Sequence, residues 1–181
     1  LEEALIRLKQ WDYDRVDLRE RIFGESVIDM ISDQQRDVLV GLLGKYPLTV
    51  GCLGTRQLVV RPENLSHQVS ILNQLIKTAL AVRTTFIRIC TEDRGAMDMP
   101  ARQTRSKAAV ANFRVLCDLA GEHGITLVLE NKPTSITNRG SELSEMVAAI
   151  GRKNLRVVWD AVNSWQGGFS DVTADYTAVK D

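Results

Sequence analysis

The sequence predicts an α/β fold of repeated βα units arranged as a (β/α)8 TIM barrel, and three observations carry that reading. Five β-prone apolar segments start near Val16, Thr49, Phe86, Thr126 and Arg156, about 30 to 40 residues apart, and each interval holds a helical pattern. Parallel strands need such crossovers. Polar residues then gather where the strands end: Arg19 and Glu20; Thr55 and Arg56; Arg88, Glu92 and Asp93; Glu130, Asn131 and Lys132; Asp160 and Asn163. A barrel places its chemistry at those ends. Finally, "RERIFGES" after the first strand holds no G-x-G-x-x-G, and no Walker-type G-x-x-x-x-G-K-[ST] occurs anywhere, so a doubly wound nucleotide-binding sheet is disfavoured.

In order along the chain, "LEEALIRLKQW" sets Leu1, Ala4, Leu5 and Leu8 on one helical face. "RVDLRERI" reads as a short strand, "ESVIDMISDQQRDVLVGLLGKY" as one helix, and "LTVGCLGT" as the next strand, weakened by its glycines. "ENLSHQVSILNQLIKTALAV" carries Leu65, Val69, Leu72, Leu75, Ile76 and Leu80 at helical spacing behind Asn64 as a candidate N-cap. "TFIRIC" is a strand, "RQTRSKAAVANFRVLCDLAGEHG" a long helix closed by Gly124, "ITLVLENK" a strand, and "SELSEMVAAIG" a helix closed by Gly151. "NLRVVWDAV" is the last strand, and "ADYTAVKD" begins another helix.

The chain has 181 residues, 44% hydrophobic and 25% charged, as expected of one globular domain over 1–181. Eight βα units usually take about 250 residues, so five strands between helices read as the middle of a barrel. With 23 basic and 23 acidic residues, the formal charge is zero, which gives no electrostatic drive toward nucleic acid or an anionic membrane. No apolar run is long enough to span a bilayer, and the N-terminus lacks the pattern of a signal peptide; a cytoplasmic location is the expectation. Cys52, Cys90 and Cys117 are widely spaced in apolar settings and read as reduced core residues.

The stretch "TLVLENKP" raises the sharpest question, since a buried strand ending on Glu130 is costly unless something holds the carboxylate. "RVVWD" ends on Asp160 in the same way, and on neighbouring barrel strands the two acids would converge on a divalent ion. The alternative is that each caps a loop or pairs with an arginine such as Arg88 or Arg139. Asn163 and Asn131 suit a hydroxyl or carbonyl ligand but equally a turn. Lys132 suits an anion, or solvent. Arg88 suits an anionic substrate, or neutralises Glu130. Trp165 in "NSWQGG" is placed to stack on a sugar face, whereas Trp159 alternates away from Asp160 into the packing. Asp17 and Arg19 share one face of the first strand, most simply as part of an ion-pair network. His67 and His123 lie near helix ends and read as surface residues. With no G-x-S-x-G and no H-E-x-x-H, serine hydrolase and zincin chemistry have no support.

Together, "GEHGITLVLENKPTS" and "NLRVVWDAVNSW", with "WDYDRVDLR" and "TFIRI" before them, resemble the xylose isomerase-like TIM-barrel superfamily, which includes sugar isomerases and epimerases and the family 2 AP endonucleases. The similarity covers the chain as about strands 2 to 6. It implies a divalent metal (Mn, Mg, Co or Zn), with Glu130 as ligand and acid/base, Asp160 as ligand, and Asn163 where many members carry histidine. Lys132 is a second departure, and the implied seventh- and eighth-strand ligands have no counterpart here. The function implied is a sugar or cyclitol isomerase, epimerase or dehydratase acting by proton transfer next to a carbonyl. Its partner is a small polyhydroxy molecule, phosphorylated or not, with no nucleic acid or membrane; self-association stays open. Two alternatives remain: a non-catalytic sugar- or partner-binding barrel with a degraded metal site, and an endonuclease-IV-like phosphodiesterase.

Overall fold

A computed structural model describes residues 1–19, 21–24 and 28–180, without the side chain of Arg56. Glu20 and that side chain, both counted among the strand-end polar groups, lie outside the described residues, as do residues 25–27 of the second expected helix. The elements are α1 (Glu2–Gln10), β1 (Arg15–Leu18), α2 (Asp33–Lys45), β2 (Thr49–Val60), α3 (Leu65–Val82), β3 (Phe86–Thr91), α4 (Met99–Glu122), β4 (Thr126–Glu130), α5 (Gly140–Ile150), β5 (Leu155–Val158), α6 (Ala161–Gln166) and α7 (Val172–Thr177). All five strands are parallel and lie in the order β1-β2-β3-β4-β5, as successive strands of a barrel do.

Several boundaries differ from expectation for identifiable reasons. The second helix begins at Asp33, because Ser32 and Gln35 form a capping box, each side chain binding the other's backbone N–H. Ahead of it stands a single 3-10 turn, Ile28–Met30. Asn64 does occupy the N-cap of α3, but in a left-handed conformation and without a side-chain cap bond. Helix α4 starts at Met99, before the arginine expected to open it, because the Asp98 side chain accepts from Ala101 N with Pro100 in the first turn. Strand β5 stops at Val158; the segment "DAV" instead starts α6, with Asp160 as N-cap.

Strand β2 runs on through residues that follow "LTVGCLGT". From Gly54 to Val59 it advances five residues, while β3 advances two, from Arg88 to Cys90, so three residues bulge out beside the strand ends. Bulges of this kind re-aim side chains next to sites. Alternation along the strands separates two faces. Ile87 and Ile89 on β3 and Leu127 and Leu129 on β4 are fully buried and join Leu72, Leu75, Phe113 and Leu116 of α3 and α4 in the core. Arg88 and Val128, paired in register, are only part-buried on the opposite face. The glycines that weakened the β2 pattern have a role on that face: a Cβ on Gly51 would collide with the Asp17 carboxylate, and one on Gly54 would lie 2.8 Å from Arg19 Cγ.

Candidate active site at the strand ends

Glu130 closes β4 on the face opposite Leu129, and only 8% of it is exposed. The register explains its partner: Arg88 sits beside Val128, one alternation step back on the neighbouring strand, and its guanidinium reaches forward. Arg88 Nη1 lies 3.0 Å from each carboxylate oxygen of Glu130. Both side chains are about nine-tenths buried, so this is a charge pair in low dielectric, where each group depends on the other. Cys90 Sγ, 3.8 Å from Glu130 Oε2, donates to the same carboxylate. Burial, with the Glu130 charge adding to it, pushes the Cys90 thiol up to about 12, so it is a neutral donor at physiological pH.

Asp160 is held differently. Its Oδ1 accepts from Val162 N at 2.8 Å and Asn163 N at 3.0 Å, fixing the carboxylate at the start of α6. Its backbone is clamped to β4 by Asn131, fully buried, which donates to Asp160 O (3.0 Å) and accepts from Asp160 N (2.7 Å). Asn131 is therefore neither a ligand group nor a local turn residue; it fastens two strand ends together. The loop that follows is equally well tied. Ser135, Thr137 and Asn138 are fully buried, with Thr137 bonded to Thr91 and Asn138 to Arg102. This loop carries Lys132, whose Nζ is 3.9 Å from an Asp93 oxygen.

The β1–β2 side is more open. Arg19 is exposed and pairs with no acid among the described residues, while Glu20, the third member of the ion-pair network expected on this strand, lies outside them. Thr55 and Leu58, in the bulge, turn the end of β2 toward the site, and Thr55 Oγ1 accepts from Leu58 N.

These groups surround one cavity of about 300 Å³. Of the residues the sequence singled out, Glu130, Asp160, Asn163, Arg88 and Lys132 all line it. Trp165 does not: it stands on α6 rather than in a loop, 67% exposed and off the lining. Trp159 donates to Asp175 Oδ2 at 3.0 Å, in the packing as its alternation implied. Glu92 is taken by Arg105 at the outer rim. Both histidines are exposed. Cys90 lines the cavity although the sequence placed it in the core; its period-2 relation to Arg88 was the available signal.

The donor set suits a hard divalent ion in part. Glu130, Asp160 through Oδ2, which has no partner among the described residues, and the Asn163 amide offer oxygen ligands around the same cavity. Among the described residues, however, no three His, Cys, Asp or Glu side chains are grouped closely enough to hold an ion.

A parallel βα sheet whose strand-end residues surround a polar cavity is the arrangement of a βα barrel. The chain belongs to the xylose isomerase-like TIM-barrel family, whose model matches residues 7–181. It is 25% identical over 99 residues to a 3-dehydroshikimate dehydratase of Bacillus anthracis, a match spanning 55% of this chain and 35% of the dehydratase. The crystal structure of a probable 3-DHS dehydratase from Bacillus anthracis superposes with a TM-score of 0.78 at 17% identity, over 98% of this chain and 63% of that one. A xylose isomerase-like TIM-barrel protein of Mycobacterium smegmatis, in complex with magnesium, gives 0.75 at 14% identity, over 98% and 62%. The chain thus spans less than two thirds of the length of these proteins. Among the described residues, no helix is long and apolar enough to cross a membrane.

Proposed function

We propose that the protein is a divalent-metal-dependent sugar or cyclitol isomerase, epimerase or dehydratase that moves a proton next to a carbonyl. The observation that carries this reading is the meeting at one cavity of Glu130, the last residue of β4, and Asp160, two residues beyond the adjacent β5. Family membership and the dehydratase relative support it. Asp160, Asn163 and Glu130 would contribute ligands to the ion, the remainder coming from outside the described residues. When bound, such an ion polarises a substrate carbonyl and so acidifies the neighbouring C–H.

Glu130 takes that proton and returns it. Arg88 fixes the plane of the carboxylate, and the Cys90 thiol holds Oε2, so the base is oriented before substrate arrives. Asp160, locked by its helix cap and by Asn131, holds its free oxygen at a set place relative to Glu130. The buried loop behind Lys132 closes one wall of the cavity. A direct test is deuterium uptake from heavy water at the carbon next to the carbonyl, with manganese present and a panel of ketoses and cyclic ketones. Uptake by the wild type, abolished in Glu130→Gln, is the expected result; no uptake with any ketone overturns the reading.

One observation favours a second reading. Both oxygens of Glu130 already contact Arg88, as they would in a non-catalytic sugar-binding barrel whose charge pair is only structural. In that case Glu130→Gln lowers stability while ligand binding survives.

A further inference from the structure

We propose that Asp175, on α7 and off the cavity lining, is a positioning residue of the site: its carboxylate sets where Asp160 and Asn163 stand. The inference rests on the reading of those two residues as metal ligands, and it adds what holds them. Helix α6, which begins after Asp160 as its N-cap and carries Asn163, has only 6 residues. A helix that short does not keep its shape in water by its own bonds, so tertiary contacts must fix it. Among the described residues of α6, Ser164 alone is buried, and its hydroxyl donates to Asp175 Oδ2 at 2.6 Å.

The same carboxylate gathers the segments on either side. Trp159, the residue before Asp160, donates its indole N–H to Oδ2 at 3.0 Å. Gly140 N, at the first turn of α5 and the end of the loop that carries Lys132, donates to Oδ1 at 2.6 Å, where the positive end of the helix favours a negative charge. The approach requires glycine: a Cβ on Gly140 would collide with the Asp175 backbone carbonyl. Beside it, the Arg139 guanidinium lies over the ring of Phe169, from the turn between α6 and α7, at 4.5 Å, a second tie between the same two segments. One acceptor-only group therefore meets three donors, one from each of the segments that bring Asp160, Asn163 and Lys132 to the cavity. An amide in its place would offer one acceptor and turn its own N–H groups on the remaining donors.

The test is manganese titration of the full chain followed by electron paramagnetic resonance, with amide hydrogen exchange of the metal-free protein measured alongside. Asp175→Asn is expected to lose about tenfold in manganese affinity, as groups that orient a metal's ligands do when replaced. It should also speed exchange at the amides of residues 164 and 167, which close the turns of α6 on Asp160 O and Asn163 O, while those of α3 and α4 exchange as in the wild type. Ser164→Ala, which keeps the carboxylate, should show a smaller loss of the same kind, and the double variant no more than Asp175→Asn alone, because both remove one shared contact. A carboxylate that served only the fold would lower the melting temperature and leave the affinity of the folded protein unchanged. Wild-type affinity in Asp175→Asn or in Ser164→Ala, losses that add in the double variant, or unchanged exchange in α6 would each overturn the proposal, and manganese bound alike by the wild type and the variants would leave the proposed function standing. Faster exchange in α6 of Asp175→Asn, in a protein that binds no manganese, would do the reverse: the proposed function would fall and Asp175 would still position Asp160.

Discussion

The ends of β4 and β5 and the ends of β1 and β2 face the same cavity, but they are built on opposite principles. On the β4–β5 side the polar groups hold one another: Asn131 clamps the Asp160 backbone, Asp160 caps α6, and the loop after Lys132 buries its hydroxyls and amides in mutual hydrogen bonds. On the β1–β2 side Arg19 meets no acid among the described residues and the strand bulges, with a glycine where a side chain would separate the cations. Buried polar groups need partners, and where the protein supplies them the geometry is fixed before a ligand arrives. Arg88 belongs to both halves, with one nitrogen on Glu130 and the opposite edge beside Gly54.

Removing that shared residue should have the largest effect. Arg88→Met leaves Glu130 buried without its cation and is expected to cost about 4 kcal/mol in urea unfolding. A loss below about 1 kcal/mol would mean that the β4–β5 side is not held together by this pair. Asn131→Leu strips partners from the Asp160 N–H and C=O, and should cost about 3 kcal/mol by the same measurement. It should also weaken manganese binding, because Asp160 loses its anchor. By contrast, Arg19→Met should stay within about 0.5 kcal/mol of wild type, since the side chain is exposed, pairs with no acid among the described residues, and keeps an apolar stem beside Gly54 in the variant. Equal sensitivity at Arg19 and Asn131 would erase the distinction between the two halves.

The smallest expected effect lies on the outer rim. Arg105 bridges Glu63 and Glu92, and its hydrogen bonds hold the Glu63 carboxyl down at about 2. A carboxyl depressed on folding stabilises the protein above its ordinary value near 4.5 and loses that contribution as pH falls toward about 2. In Arg105→Gln, the melting temperature should therefore fall less steeply over that window than in wild type. The ligand affinities should not change.

Much of this was legible in the sequence because it is local. The βα alternation, the glycines ending α4 and α5, and the carboxylates ending "TLVLE" and "RVVWD" follow from periodicity and turn chemistry. Local rules also reach some of the differences: S-D-Q-Q at Ser32 is a capping box, and "DAV" at Asp160 begins a helix as readily as it ends a strand. The β2 bulge was hidden because its residues alternate poorly and pairing to β3 alone decides their register. Whether Glu130 met Arg88 or Arg139, and that Asn131 would reach across to Asp160, depended on the strand alignment. Trp165 was misplaced for the same reason that Asp160 was taken as strand: the first turn of α6 was counted with β5.

The central claim is that Glu130 and Asp160 act together on one divalent ion. It is tested most directly by titrating manganese into the full-length protein, followed by electron paramagnetic resonance, for the wild type, Glu130→Gln and Asp160→Asn. The account predicts saturable binding in the wild type that is lost in both variants while their folds persist by circular dichroism. Absence of binding in the wild type, or binding that survives both substitutions, would contradict it.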